Sequence, residues 1–480
     1  MNQITPSRLA IICNGTYYGD TEIKDKEVSS ITTDSREITD GGLFIAIKGE
    51  RTDGSRFINK TYESGALCCI SEAAPEEVYS ISTDGTTEDG RLYNNIEEWL
   101  SGRAFIQVKS CLQALKDIAE FYRIVCATKI IGITGSVGKT TTKEMIASVL
   151  SEHFNTLKTQ GNFNNEIGVP LTLFRLREEH ELAIVEMGIS EFGEMTRLSK
   201  IVKPDICVIT NIGQCHLENL GDRDGVLKAK TEIFTSMAAD GKVYLNGDDD
   251  KLVQIEDVNG KKPVFFGTGR NCSVYADNIV ENGLDGTYFD AVTCDIRIPL
   301  HVPVPGMHMV TNALAAVAVA TGLGMEPDEI AAGISKFTPV GGHSSIIKTD
   351  RFTIMNDCYN ANPVSLKAAI DVLSSVKGRK VAIIGDMFEL GVNEKIMHFD
   401  IGAYAVKKGI DCIVCAGKLA KEYVAGVLAI DGSHNVLYYE STDQAIELIG
   451  TIVKDGDSIL VKASHAMGFE RIVKVLEDCK

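Results

Sequence analysis

An α/β chain of three domains is what the sequence predicts, and three observations predict it. The chain has 480 residues, about three times the roughly 150 residues of an average domain. From residue 111 onward, apolar runs of strand length alternate with stretches of helical spacing, the order expected of mostly parallel sheets. A Gly/Pro-containing break over 335–348, with Pro339, Gly341 and Gly342, separates two such patterned regions. The expected divisions are 1–108, a small mixed α/β domain, 109–336, a central domain with a mostly parallel sheet, and 337–480, a further parallel-sheet domain.

Residues 1–108 hold short apolar runs at 43–47 and 105–108 among many Gly, Asp, Ser and Thr, with a polar stretch at 80–95, as in a small domain with surface loops. Apolar spacing turns helical over 111–122. Lys129-Ile130-Ile131-Gly132-Ile133-Thr134 then reads as a buried strand, followed by a Gly-rich turn and a helix from Thr140. Further strands are expected at 182–187, 206–210 and 242–245. In the last domain they are expected at 352–355, 380–384, 412–415, 436–439 and 458–461, with helices between, a Rossmann-like alternation. No G-x-G-x-x-G follows any of these strands, so a dinucleotide is not implied.

Composition narrows the function classes. Lys plus Arg number 48 against 66 Asp plus Glu, a formal net charge of −18, which disfavours nucleic acid or an anionic membrane as the main partner. No stretch approaches about 18 consecutive apolar residues, and the first fifteen residues carry only a short apolar run without a small-residue cleavage site. A cytoplasmic protein with no membrane insertion is expected, and a monomer. The thirteen cysteines sit in apolar contexts such as Leu67-Cys68-Cys69-Ile70, and the one C-x-x-C, Cys412 to Cys415, lies inside an apolar run. Buried thiols are expected, with neither disulfides nor a zinc site.

The strongest chemical signal is Gly132-Ile133-Thr134-Gly135-Ser136-Val137-Gly138-Lys139-Thr140-Thr141-Thr142. A turn of this kind aims successive backbone N–H groups at phosphate oxygens; Lys139 adds positive charge near the β/γ-phosphates, and the Thr140 hydroxyl can hold Mg²⁺. It departs from strict G-x-x-x-x-G-K-[ST], because Ile133 holds the first glycine position. ATP is the expected nucleotide, and the loop by itself leaves GTP open. Glu186 and His216 also follow predicted strands, and the carboxyl ends of parallel strands share one edge, so a carboxylate and an imidazole are expected beside the phosphate loop. Taken singly, each has an ordinary reading as a solvated carboxylate or a core histidine, and Lys230 reads as one charge on an exposed helix face.

With these residues in view the chain resembles, over its whole length, the Mur ligase family of ATP-dependent amide ligases, and most of all the MurF type, which joins D-alanyl-D-alanine to UDP-N-acetylmuramoyl-tripeptide. The resemblance is carried by the phosphate loop and by Gly161-Asn162-Phe163-Asn164-Asn165-Glu166-Ile167-Gly168, Glu186-Met187-Gly188, Asn211-Ile212-Gly213 and His216-Leu217-Glu218. It continues in Asn312-Ala313-Leu314-Ala315-Ala316, Tyr359-Asn360-Ala361-Asn362-Pro363 and Gly385-Asp386-Met387-Phe388-Glu389-Leu390-Gly391. The last two elements favour the D-alanyl-D-alanine-adding type.

The resemblance implies roles. Lys139, Glu186, His216 and Lys230 would form the catalytic group, with Lys230 as the lysine that CO₂ converts to a carbamate. Thr140 and Glu186 would hold one Mg²⁺, and Glu186, His216 and carbamylated Lys230 would shape a second. Gly135, Ser136, Val137, Gly138, Lys139, Thr140 and Thr141 would bind the ATP phosphates, with Asn312 and Asp357 at the adenosine. Ser35, Arg36 and Lys48 would meet the uridine diphosphate, while Asn162, Asn164 and Asn165 would orient the muramoyl-peptide side. Tyr359, Asn360, Asn362 and Lys462 would line the dipeptide site. The chain departs from the family pattern at three places. Met307-His308-Met309 replaces a frequent Gly-His-Asn, His343 stands where an Arg near the phosphates is common, and Ala463-Ser464-His465 replaces Gly-Ser-Arg. Two rival readings stay open: a related amide ligase adding one amino acid to a muramoyl peptide or glutamate to a folate, and a phosphate-loop switch that binds nucleotide without forming an amide.

Overall fold

The computed structural model describes residues 1–49, 52–83, 95–294, 296–339, 341 and 345–479. Most of the polar stretch expected at 80–95 therefore lies outside the described residues, as does His343. The chain divides into two compact units: residues 1–130, 157–187 and 196–204 in the first, and 131–156, 188–195 and 205–480 in the second.

The first unit holds a five-stranded sheet in the order Thr16–Gly19, Ala104–Gln107, Cys68–Ser71, Leu43–Ile45, Ile31–Thr32. The first pair is antiparallel and the others are parallel. Trp99, Tyr62 and Phe105 fill the core under this sheet, Trp99 lying edge-on to Tyr62 with centroids 5.6 Å apart. The indole N–H donates to Asn59 Oδ1 at 2.8 Å, so this buried side chain meets its one polar requirement. The helix expected from residue 111 is Cys111–Val125, capped by the Ser110 hydroxyl, with Ala114, Leu115, Ile118 and Tyr122 on its buried face. The buried strand Leu182–Glu186 and the short helix Gly168–Leu173 belong to the same unit.

In the second unit, residues 131–134 of the strand Lys129–Thr134, then Ile206–Ile209, Lys242–Asn246, Val264–Gly267 and Val274–Glu281, run parallel, each beside the next. Thr287–Thr293 and Ile296–Val302 then add antiparallel strands. Sequence reasoning missed these last strands. They are half-exposed and alternate buried with polar positions, unlike the uniformly apolar strands buried on both faces. Asn282-Gly283, in the connection from Val274–Glu281 to Thr287–Thr293, was a legible turn signal. The helix Met307–Gly322 and the phosphate-loop helix Lys139–Leu150 pack together in this unit.

The unit also contains a six-stranded sheet in the order Ser345–Lys348, Thr353–Asn356, Ser458–Lys462, Lys380–Gly385, Cys412–Ala416, Val436–Tyr439. All pairs are parallel except the opening hairpin. Separate apolar cores on its two faces explain why its central strands read as unbroken hydrophobic runs. Cys412 and Cys415 are buried strand residues, and burial pushes both thiols up from their ordinary pKa. All thirteen cysteines are free; Cys294 is exposed, which the expectation of buried thiols did not foresee. Among the described residues no helix is long and apolar enough to cross a membrane.

Candidate active site

The phosphate loop begins where the buried strand Lys129–Thr134 ends. Gly135 has φ +154°, and a Cβ there would lie 1.9 Å from Thr210 Oγ1, so only glycine lets the loop approach the neighbouring strand end. Gly138, at φ +79°, turns the chain into the helix Lys139–Leu150. The loop is braced by residues just beyond the strand Ile206–Ile209. Ser136 N–H donates to Asn211 O at 3.0 Å, and Val137 N–H donates to Asn211 Oδ1 at 2.9 Å. Val137 O accepts from Thr210 Oγ1 at 2.6 Å and Asn211 Nδ2 at 2.9 Å, while Gly213 N–H donates to Ser136 Oγ at 2.8 Å. With Ser136 and Val137 amides engaged inside the protein, the anion-seeking amides are those of the helix's first turn, which no helix satisfies internally. Lys139 Nζ donates to Gly135 O at 2.9 Å, folding the charge back over the loop.

Behind this brace stands a polar layer that sequence reasoning did not single out. Asn246 Nδ2 donates to Thr210 O, Asp249 Oδ2 accepts from Ile212 N–H, and Arg223 Nε donates to Ile212 O, all at 2.8–2.9 Å. The polar turn Asn246-Gly247-Asp248-Asp249, directly after an apolar strand, was the available signal. Because the Asn211 side chain makes two of the loop's bonds, we expect Asn211→Ala to cost about 1–3 kcal/mol of stability and to weaken nucleotide binding. Thermal unfolding and nucleotide titration check this; unaltered nucleotide affinity would contradict the bracing role.

Lys230 lies on the helix Arg223–Thr231, capped by Asp222, whose carboxylate accepts from Asp224 and Gly225 N–H. Its helical pattern suggested an exposed charge, but the side chain is 1% exposed. Burial lowers its pKa to about 8; Cys215 pulls it upward, and the nearby Lys139 charge lowers it further. Cys215 Sγ donates to Ser136 Oγ at 3.1 Å, so Lys230, Cys215, Lys139 and the loop share one neighbourhood. His216, with φ +50°, opens the short helix Leu217–Leu220, and its Nδ1 lies 2.7 Å from Glu389 Oε2. That contact, with its hydrogen bond first, holds the Glu389 carboxyl below its usual range.

Asn312, on the helix Met307–Gly322, is buried; its Oδ1 accepts from Thr142 Oγ1 at 3.1 Å, tying this helix to the phosphate-loop helix. Asp357 follows the strand Thr353–Asn356 and accepts from Lys462 Nζ at 2.5 Å; Lys462 is buried and also donates to Asn360 O at 2.8 Å. His308 is a further titratable neighbour: burial lowers its pKa, Asp357 raises it and Lys462 lowers it. Tyr359 lies tilted against His465 with centroids 5.8 Å apart. Asn360 Oδ1 accepts from Ala361 N–H, and Asn362 caps the helix Pro363–Ser375 through reciprocal bonds with Ser365.

In the first unit Glu186 is buried at the end of its strand; its N–H donates to Thr159 Oγ1 at 3.0 Å and its Oε1 accepts from Asn164 Nδ2 at 2.8 Å. Asn165 Oδ1 accepts from Ile167 and Gly168 N–H, so this side chain shapes the turn into the helix Gly168–Leu173, while Asn162 is exposed. Arg36 is exposed and paired with Asp34 at 2.5 Å, and this hydrogen-bonded pair pushes the Asp34 carboxyl down to about 2. Ser35 and Arg36 follow the strand Ile31–Thr32, and Lys48 follows its parallel neighbour Leu43–Ile45, so all three lie beyond the same edge of that sheet. Among the described residues no group of three His, Cys, Asp or Glu side chains gathers as a metal cluster.

Three stretches match families of known proteins: residues 27–123 the Mur ligase family, catalytic domain, residues 133–320 the Mur ligase middle domain, and residues 342–465 the Mur ligase, glutamate ligase domain. The UDP-N-acetylmuramoyl-tripeptide–D-alanyl-D-alanine ligase of Bacillus subtilis is 35% identical over 98% of this chain and 98% of its own. The chain belongs to the Mur ligase family. The ligase of the same name from Escherichia coli is 31% identical over 100% of this chain and 99% of its own. A crystal structure of MurF from Acinetobacter baumannii superposes with TM-score 0.85 at 31% identity, covering 99% of this chain and 98% of that one. MurF ligase from Thermotoga maritima in complex with ADP gives 0.78 at 25% identity, covering 94% and 97%. Three Mur ligase domains with mostly parallel sheets are thus the fold class: the α/β, three-domain class that the strand and turn pattern predicted, in the family that the motifs resembled.

Proposed function

We propose that this chain joins D-alanyl-D-alanine to UDP-N-acetylmuramoyl-tripeptide at the expense of ATP, in the synthesis of a peptidoglycan precursor. The observation that carries the reading is a braced phosphate loop within a chain that aligns end to end with ligases of that name. The work divides along the chain: residues 1–108 take the UDP substrate, 109–336 take ATP, and 337–480 contribute dipeptide and nucleotide contacts. Cytoplasmic placement goes with the reading, because both nucleotides are drawn from the cell interior.

In this reading the tripeptide carboxylate attacks the γ-phosphorus as ADP leaves, giving an acyl phosphate. The dipeptide amine then adds to the acyl carbon, and phosphate leaves as the amide forms. Lys139 offsets the repulsion between carboxylate and triphosphate, and the first-turn amides of its helix orient the phosphates. No protein nucleophile is required. Mg²⁺, when bound, supplies charge neutralisation and orientation of the phosphates. Within the second unit Thr140 would offer it a hydroxyl oxygen and His216 an imidazole. Lys230 as an ammonium does not fit such an ion, whereas its carbamate does. Burial that lowers its pKa to about 8 raises the share of the neutral amine, the form that adds to CO₂ with loss of a proton.

The test is an acceptor panel: UDP-muramoyl-tripeptide and ATP with D-alanyl-D-alanine, D-alanyl-D-lactate or single amino acids, and separately a folate with glutamate. We expect ADP, phosphate and a pentapeptide product with D-alanyl-D-alanine. Product with single amino acids or folate alone would move the chain to a neighbouring ligase, and phosphate release without any amide would favour a nucleotide switch.

A further inference from the structure

His216 and Glu389 meet across segments far apart in sequence, His216 Nδ1 lying 2.7 Å from Glu389 Oε2. Both have left-handed backbone, φ +50° and +61°, which a non-glycine residue holds only where its surroundings fix it. On the histidine's side, Leu220 N–H donates to His216 O, and Leu217 packs against an apolar core of the six-stranded sheet. The glutamate's loop is anchored more heavily. Asp386 accepts from Lys418 and Leu419 N–H, Met387 N–H donates to His398 Nε2 at 3.0 Å, and Phe388 N–H donates to Ser464 Oγ at 2.9 Å. His398 is wholly buried and donates from Nδ1 to Glu394 O, which leaves its Nε2 as the acceptor that Met387 needs.

A carboxylate only accepts, so the hydrogen of the His216–Glu389 contact resides on His216 Nδ1, and in the neutral ring Nε2 keeps its lone pair. We propose that Glu389 is a positioning residue, holding His216 as the Nδ1–H tautomer with Nε2 presented as its coordinating or accepting nitrogen. The inference rests on the reading of His216 as a site residue. It makes that residue's readiness depend on a loop supplied by the C-terminal sheet, since the loop's anchors Asp386, His398 and Ser464 all lie in that part of the chain. A ligating histidine whose second nitrogen is held by a carboxylate is oriented and made more basic by it.

The test uses full-length protein labelled with ¹⁵N-histidine, recorded without metal or nucleotide at about pH 9, well above the ordinary imidazole pKa. The His216 signals are identified by their loss in His216→Gln. We expect Nδ1 to be pyrrole-like and Nε2 pyridine-like in the parent protein, and the Nε2–H tautomer to take over in Glu389→Ala. Glu389→Gln, which keeps an acceptor oxygen, should retain the parent pattern. Turnover should fall about ten- to a hundredfold in Glu389→Ala, with the KM for the UDP substrate unmoved and substantial recovery in Glu389→Gln. An Nε2–H tautomer in the parent, or no response to Glu389→Ala, would overturn the proposal. A tautomer change with turnover intact would instead remove His216 from the site, and with it any part for Glu389 in the reaction. Glu389 is exposed, so the variants should fold, and thermal unfolding checks that they do.

Discussion

Lys139→Ala should abolish amide formation, lowering turnover by about a thousandfold or more, while binding of the UDP substrate stays close to that of the parent. The side chain opens the phosphate-loop helix and donates to Gly135 O. Its removal leaves the brace from Thr210, Asn211 and Gly213 in place, so the loop keeps its shape and loses its charge. Without that charge nothing in the loop offsets the approach of a carboxylate to a triphosphate. Equilibrium titration with ATP and with the UDP substrate reads the two effects separately. Equal loss of both would contradict the assignment of UDP binding to residues 1–108, whose Ser35, Arg36 and Lys48 lie at the edge of a different sheet.

Lys230→Ala should be nearly inactive, about a hundredfold or more below the parent, and partly restored by formate or acetate in the buffer. The lysine is buried, and burial lowers its pKa to about 8, so the protein disfavours the ammonium at this position. In the proposed reading a carbamate would replace that cation with an oxygen anion suited to Mg²⁺, and a small carboxylate would supply the same group once the side chain is gone. Truncation leaves a cavity, but it also removes a desolvated charge. The thermal midpoint should therefore move less than for an apolar residue of equal size. Parent-like turnover would exclude the carbamate role, and inactivity without rescue in a folded variant would confine Lys230 to a packing role.

The central parallel strands were legible because they are buried on both faces and read as continuous apolar runs: 129–134, 206–209, 380–385, 412–416 and 458–462. The N-terminal strands were less so, since Ile31–Thr32 and Leu43–Ile45 are only two and three residues long. The strands from 274 to 302 carry charged side chains in ion pairs on their exposed face, Arg297 with Asp277 among them, and the mixture hid their period. The turn of the phosphate loop was legible because its glycines answer to local backbone geometry at Gly135 and Gly138, whereas the Ser136 and Val137 amides, expected at the phosphates, bond within the protein. What surrounds it was not. The burial of Lys230 follows from how its helix packs, and the Glu389 contact to His216 joins distant segments. Asn362 and Asn165, expected to face substrate, use their side-chain oxygens to cap or turn the chain, a role that Asn before a helix commonly fills.

ATP-driven activation of the peptide carboxylate is tested most directly by following oxygen. UDP-muramoyl-tripeptide labelled with ¹⁸O in the reacting carboxylate is turned over with ATP and D-alanyl-D-alanine, and the released phosphate is analysed by mass. An acyl phosphate transfers one carboxylate oxygen to phosphate, so the account predicts one ¹⁸O in each phosphate released and one phosphate for each amide formed. Phosphate carrying no label, or label-free phosphate in excess over amide, would contradict it.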